Sequence, residues 1–187
     1  MKNNHKIIVL GVGNVLLKDE GVGVRMIERL RKKYDFPPHV DAVDGGTLGL
    51  SLLSIIDRAD RLLVVDAIKN RGNPGDTYRF DFDDIPYALR QKNSLHQADL
   101  MECLKLIEFV GTRPETVIVG VEPEDISPYG VELTPSVRAS MDRLETMILQ
   151  ELERWGERLS PRESGGGEDA GEPDQWGPRS TNVREPS

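Results

Sequence analysis

At 187 residues, 37% of them hydrophobic, the chain holds enough apolar material for one core and one catalytic domain. The formal charge of -8 argues against generic nucleic-acid binding, because phosphate contacts need a surface rich in Lys and Arg. A single cysteine, Cys103, rules out an internal disulfide framework and any multi-cysteine zinc or iron-sulfur site, and fits a reducing, cytoplasmic setting.

The first apolar run, KIIVLGVG (6–13), is far shorter than the roughly 18 residues of a membrane helix and has no small-residue cleavage site after it. It reads as a first strand, and no membrane partner is expected. A helix starting near Gly21 follows, with Val22, Met26, Ile27 and Leu30 on one face. HVDAVDGG (39–46) reads as a short strand and TLGLSLLSII (47–56) as a helix. RLLVVDA (61–67) and ETVIVGVEP (115–123) are continuous apolar runs of the kind buried on both faces of a parallel sheet. DTYRFDF (76–82) alternates and is polar on one side, which predicts an edge strand. Leu100, Leu104 and Ile107 mark another helix, with Cys103 near its apolar face as a core residue and not a nucleophile.

In the last helix Thr134 is the expected cap and Pro135 the first residue; Val137, Met141, Leu144, Ile148, Leu152 and Trp155 form the apolar stripe. Residues 160–187 are rich in Gly, Pro, Ser and Glu without periodicity, so the expected organisation is one domain over 1–159 and a disordered acidic tail over 160–187. With six acidic and three basic residues the tail carries -3 of the -8, so the body is acidic in its own right. The alternation of strands and helices predicts an α/β fold of three layers: a twisted, mostly parallel five-stranded sheet with helices on both faces. Ligands in such folds sit beyond the carboxyl ends of the strands, and each candidate group falls there.

GVGNVLLKDEG (11–21) follows the first strand, but the third glycine of a dinucleotide fingerprint would be residue 16, which is Leu16. The loop instead brings Asp19 and Glu20 to a helix start, where they either cap the helix or do chemistry. Asp66 closes an apolar strand and is either a loop cap or a site carboxylate. His96 opens a helix, whose positive end favours the neutral imidazole that a metal ligand requires. Together these make two carboxylates and an imidazole, a set suited to a divalent transition ion with open coordination positions, although no local spacing such as HExxH supports it. There is no G-x-S-x-G elbow, and Asp44 to Gly46 form a loop open to close backbone approach.

The ordered series GVGNVLLKDEGVG, DGGTLG, VVDA, SLHQADL, VGVEPE and ELTPSV resembles the maturation endopeptidases of nickel-iron hydrogenases. The likeness runs from about Lys6 to Leu159. It implies a metal-binding trio of Glu20, Asp66 and His96. It also implies a substrate: a hydrogenase large-subunit precursor that loses its C-terminal extension once nickel is in place. The nickel would come with the precursor, and zinc or cadmium would substitute. Asp19 and Asp44 are the candidates for taking a proton from an attacking water. A monomer is expected. The alternative from the same strand order is a non-enzymatic nucleotide- or metal-binding module of the doubly wound type.

Overall fold

The apolar runs become strands because both of their faces are covered. Ile7, Val9, Leu63, Val65, Val117 and Val119 pack to one side, with Met26, Ile27, Leu144 and Ile148; Ile8, Leu10, Leu62, Val64 and Ile118 pack to the other, with Leu52, Ile56, Leu100, Cys103 and Leu104. Side chains alternate along a strand, so only a run that is apolar throughout fills both layers.

The structure, a computed structural model, describes residues 5–47, 51–84, 95–111 and 113–162; of residues 95–99, 101 and 110 it describes the backbone only. The elements are β1 (Ile7–Val12), a 3-10 turn (Lys18–Gly21), α1 (Val22–Lys33), β2 (Tyr34–Asp35), β3 (Val40–Gly46) and α2 (Leu52–Ile56). They continue with β4 (Arg61–Ala67), β5 (Thr77–Asp81), a 3-10 turn (Phe82–Asp84), α3 (Leu95–Val110), β6 (Glu115–Val121), α4 (Pro135–Arg154) and β7 (Ser160–Pro161). The five-stranded sheet has the order β3-β1-β4-β6-β5. All its pairs are parallel except β5 with β6. The edge strand is β5, as its polar alternation predicts: Tyr78 and Phe80 pack against the core while Arg79 pairs with Asp81 and Glu151. Helices α1 and α4 cover one face, and α2 and α3 the other.

Four details depart from the sequence reading. The helix expected over 47–56 is described only as α2 from Leu52, with residues 48–50 outside the described set. Thr134 occupies the cap position of α4 with extended backbone, but its side chain makes no cap hydrogen bond; its hydroxyl donates instead to Asp19. Two short strands went unpredicted: Ser160–Pro161 pairs antiparallel with Tyr34–Asp35, and the Arg162 N–H donates to the Lys33 carbonyl at 2.8 Å. The ordered body therefore passes the expected boundary at 159, and the rest of the tail call, 163–187, lies outside the described residues.

The topology fixes where a site forms. From β1 the chain crosses by α1 to β3 on one side, then returns by α2 to β4 on the other side of β1. The two connections lie on opposite faces, so the strand order reverses at the adjoining carboxyl ends of β1 and β4, the position where folds of this kind place their crevice.

Candidate active site at the carboxyl edge of the sheet

Glycines bring the loop after β1 over that crevice. At Gly23, in the first turn of α1, a Cβ would stand 2.2 Å from the Val65 carbonyl oxygen and 2.4 Å from that of Val12, so the helix start rests directly on the ends of β1 and β4. Gly13, at φ +122°, lets the chain leave β1 against the Glu20 backbone, where a Cβ would meet the carbonyl oxygen at 1.8 Å. Glu20 is thereby held in the 3-10 turn that packs on β4. It is only 7% exposed, and its buried Oε2 has no hydrogen-bond partner among the described residues. A buried carboxylate oxygen left unbonded costs free energy on the order of 1–3 kcal/mol, which a ligand can recover.

Asp66 is the penultimate residue of β4 and is buried; its Oδ1 accepts the Ala67 N–H at 2.8 Å. On the other side of β1, Asp44 of β3 stands in register with Gly11, which in turn is in register with Val65 of β4. Asp44 is exposed, and its Oδ1 accepts the Gly46 N–H at 2.9 Å. Glu20, Asp44 and Asp66 thus come from the ends of adjacent strands and the loop that continues the middle one. His96 is the second residue of α3, and its imidazole lies outside the described set. Among the described residues no cluster of three His, Cys, Asp or Glu side chains forms a metal site. Cys103 is fully buried in the core, as expected.

Asp19 behaves differently from its neighbour. It has no exposed surface, and both its oxygens are engaged: Oδ1 accepts the Thr134 N–H (2.8 Å), and Oδ2 the N–H groups of Glu124 (2.9 Å) and Asp125 (3.0 Å) and the Thr134 hydroxyl (2.9 Å). A carboxylate so enclosed is a brace between the loop after β1 and the loop after β6, and it exposes no surface to solvent. Next to it, Lys18, itself at φ +51°, pairs with Asp125 and donates to the Ser127 hydroxyl at 3.0 Å. The Lys18 ammonium, with the Ser127 N–H, holds the Asp125 carboxyl well below the usual carboxylate range.

Sequence reasoning missed Glu122. It is buried at the end of β6, and its Oε2 accepts the N–H groups of Asn70 (2.8 Å) and Gly72 (3.1 Å) and the Tyr78 hydroxyl (2.8 Å). It ties down the loop that follows Asp66. Burial, then the hydrogen bond to Glu122, pushes the Tyr78 hydroxyl up to about 12. The signal was present: an acid closing an apolar strand, the same feature that singled out Asp66. The two braces share one segment, so residues 122–134 fix both carboxylate-bearing loops.

The family model described as hydrogenase maturation protease matches residues 24–151. The chain is 38% identical over 161 residues to the hydrogenase 2 maturation protease of Escherichia coli K12, covering 85% of this chain and 98% of that protein. It is 37% identical over 161 residues to the hydrogenase expression/formation protein HupD of Bradyrhizobium diazoefficiens, covering 85% and 84%. Among solved structures, the hydrogenase-maturating endopeptidase HybD of E. coli superposes with a TM-score of 0.79 at 38% identity, over 84% of this chain and 98% of that one. A hydrogenase maturation protease from Thermococcus kodakarensis, at 23% identity and a TM-score of 0.64 over 78% and 98%, shares the fold.

Proposed function

The chain belongs to the hydrogenase maturation protease family and is a peptidase, and from that premise we propose that it removes the C-terminal extension of a nickel-loaded hydrogenase large-subunit precursor, reading the nickel through Glu20, Asp66 and His96. The non-enzymatic alternative falls with the family assignment. The observation that carries the metal reading is Glu20: a nearly buried carboxylate with an unbonded oxygen at the crevice between β1 and β4. Asp66 supplies a second buried carboxylate from the same edge. His96 begins α3, which leads into β6, so it stands at the helix end remote from the start of β6.

Nickel held by the precursor's own cysteines takes the trio as further ligands, so the substrate brings the ion and loading becomes the checkpoint for cutting; zinc and cadmium are expected to occupy the same ligands. Held by Glu20, Asp66 and His96, the ion would supply Lewis acidity for hydrolysis, toward either the scissile carbonyl or a water. Asp44, exposed at the same edge, is the proton acceptor in this reading, since Asp19 is saturated. No helix among the described residues is long and apolar enough to cross a membrane, and the reading places the protease in the cytoplasm, acting as a monomer.

The test is single substitution. Glu20→Gln, Asp66→Asn and His96→Ala should each abolish release of the C-terminal peptide while circular dichroism and melting temperature stay close to those of the parent. Parent rates in any of the three would overturn the ligand assignment.

A further inference from the structure

Among the described residues the exposed large hydrophobics are Leu16, Leu106, Phe109, Tyr129 and Val131. Two of them, Leu106 and Phe109, lie on α3, while the other three lie on the two bridged loops, one of which leads into Glu20. An isolated parallel bridge joins Leu17 to Gly130; the Lys18 N–H donates to the Gly130 carbonyl at 2.9 Å and the Gly130 N–H to the Leu16 carbonyl at 3.4 Å. That register sets Leu16 beside Tyr129, with Val131 next along. The three are 60%, 100% and 51% exposed. Scattered exposed apolar residues are ordinary, but three gathered on two cross-linked loops at a site mark an interaction surface.

The backbone adds a separate argument. Tyr129 sits at φ +70°, a left-handed conformation that glycine adopts at no cost and a bulky side chain adopts only against strain. Its ring is fully exposed, so packing within the chain does not account for an aromatic residue at that position. The loops that carry it are fixed in advance by the four hydrogen bonds to Asp19 and the Lys18–Asp125 pair. A rigid aromatic anchor on an ordered loop is what binding surfaces use, since little conformational freedom remains to be lost on association.

We infer that Leu16, Tyr129 and Val131 form a docking lip that receives an apolar stretch of the large-subunit precursor next to its scissile bond. The inference rests on the reading of this protein as a precursor-processing peptidase. The lip is continuous with the proposed site: Leu16 and Glu20 belong to one loop, and Val131 is three residues before Thr134, which bonds to Asp19. A peptide held at Glu20 and Asp66 would therefore have these loops as its neighbours. The lip therefore sets affinity for the precursor and takes no part in bond cleavage.

The experiment is steady-state processing of a nickel-loaded precursor from the same organism. It uses the full chain, the variants Leu16→Ser, Tyr129→Gly and Val131→Ser singly and combined, and Leu106→Ser with Phe109→Ser as a control on α3. The combined lip variant should raise KM at least tenfold with kcat within twofold, and the α3 control should change neither. Tyr129→Gly should raise KM while its melting temperature stays level or rises, because glycine relieves the strain; a purely structural role for Tyr129 predicts a lower melting temperature. An unchanged KM in the combined variant, or a loss confined to kcat, would overturn the lip. Failure of the parent protein to cut the precursor at all would instead remove the underlying reading, and the lip with it.

Discussion

Asp19 takes both the backbone N–H and the hydroxyl of Thr134, at 2.8 and 2.9 Å, across 115 residues of sequence. One carboxylate thereby stitches the loop leaving β1 to the entrance of α4, and the Glu124 and Asp125 amides complete the knot. Hydrogen bonds to a buried charge are worth about 1.5–3 kcal/mol each, and removing the shared acceptor orphans several donors together. Asp19→Ala should therefore destabilise the fold by about 3 kcal/mol or more, measured by urea unfolding. Thr134→Val, which deletes only the hydroxyl, should cost about 1–2 kcal/mol and leave processing intact. A stable Asp19→Ala protein would contradict the brace.

Gly23 makes the second prediction. Its missing Cβ would lie 2.2 and 2.4 Å from two strand carbonyl oxygens and 2.9 Å from the Val12 nitrogen, all main-chain atoms that cannot swing away. Gly23→Ala should push α1 off the ends of β1 and β4, costing about 3 kcal/mol or more and displacing Glu20. Thermal melting and metal titration of the same sample would report both effects. A variant that melts like the parent would show that the helix start has room.

The third concerns acid. Burial, the largest influence on Glu145 and Glu151, pushes both carboxyls up, yet both end below their ordinary 4.5. Hydrogen bonds from Lys33 and Tyr34 to Glu145, and from Arg79 and Arg154 to Glu151, outweigh burial. A carboxyl lowered on folding contributes stability that is complete above its unfolded value and lost as pH falls through its folded one. Unfolding free energy should thus hold steady from pH 7 to about 5.5 and decline below about 4.5. Glu151→Gln should lower stability at pH 7 and converge with the parent as acid protonates the parent carboxyl. Denaturant melts at a series of pH values decide it; parallel curves would refute the argument.

Much of this architecture is legible from the chain because strand runs such as IIVLGV and RLLVVDA are apolar on both faces, which a doubly covered sheet demands. Asp66, which closes RLLVVDA, was legible for the same reason, since a carboxylate at the end of an apolar run has to emerge at the rim; Glu122, placed alike after β6, was passed over. What escaped were roles set by distant partners. Nothing near Asp19 in sequence announces bonds to residues 124, 125 and 134, so it read as a helix cap or a proton acceptor beside Glu20. Thr134 looked like a cap because its local pattern is a capping pattern, and only tertiary contact redirects its hydroxyl. The pairing of Tyr34–Asp35 with Ser160–Pro161 joins chain segments too short to carry any periodicity.

In the proposed function, nickel in the precursor licenses the cut. A large-subunit precursor, prepared once with nickel inserted and once without, should be incubated with this protein and its intact mass followed. The account predicts loss of the C-terminal peptide from the nickel-loaded sample alone. Equal cleavage of both samples, or none of the loaded one, would contradict it.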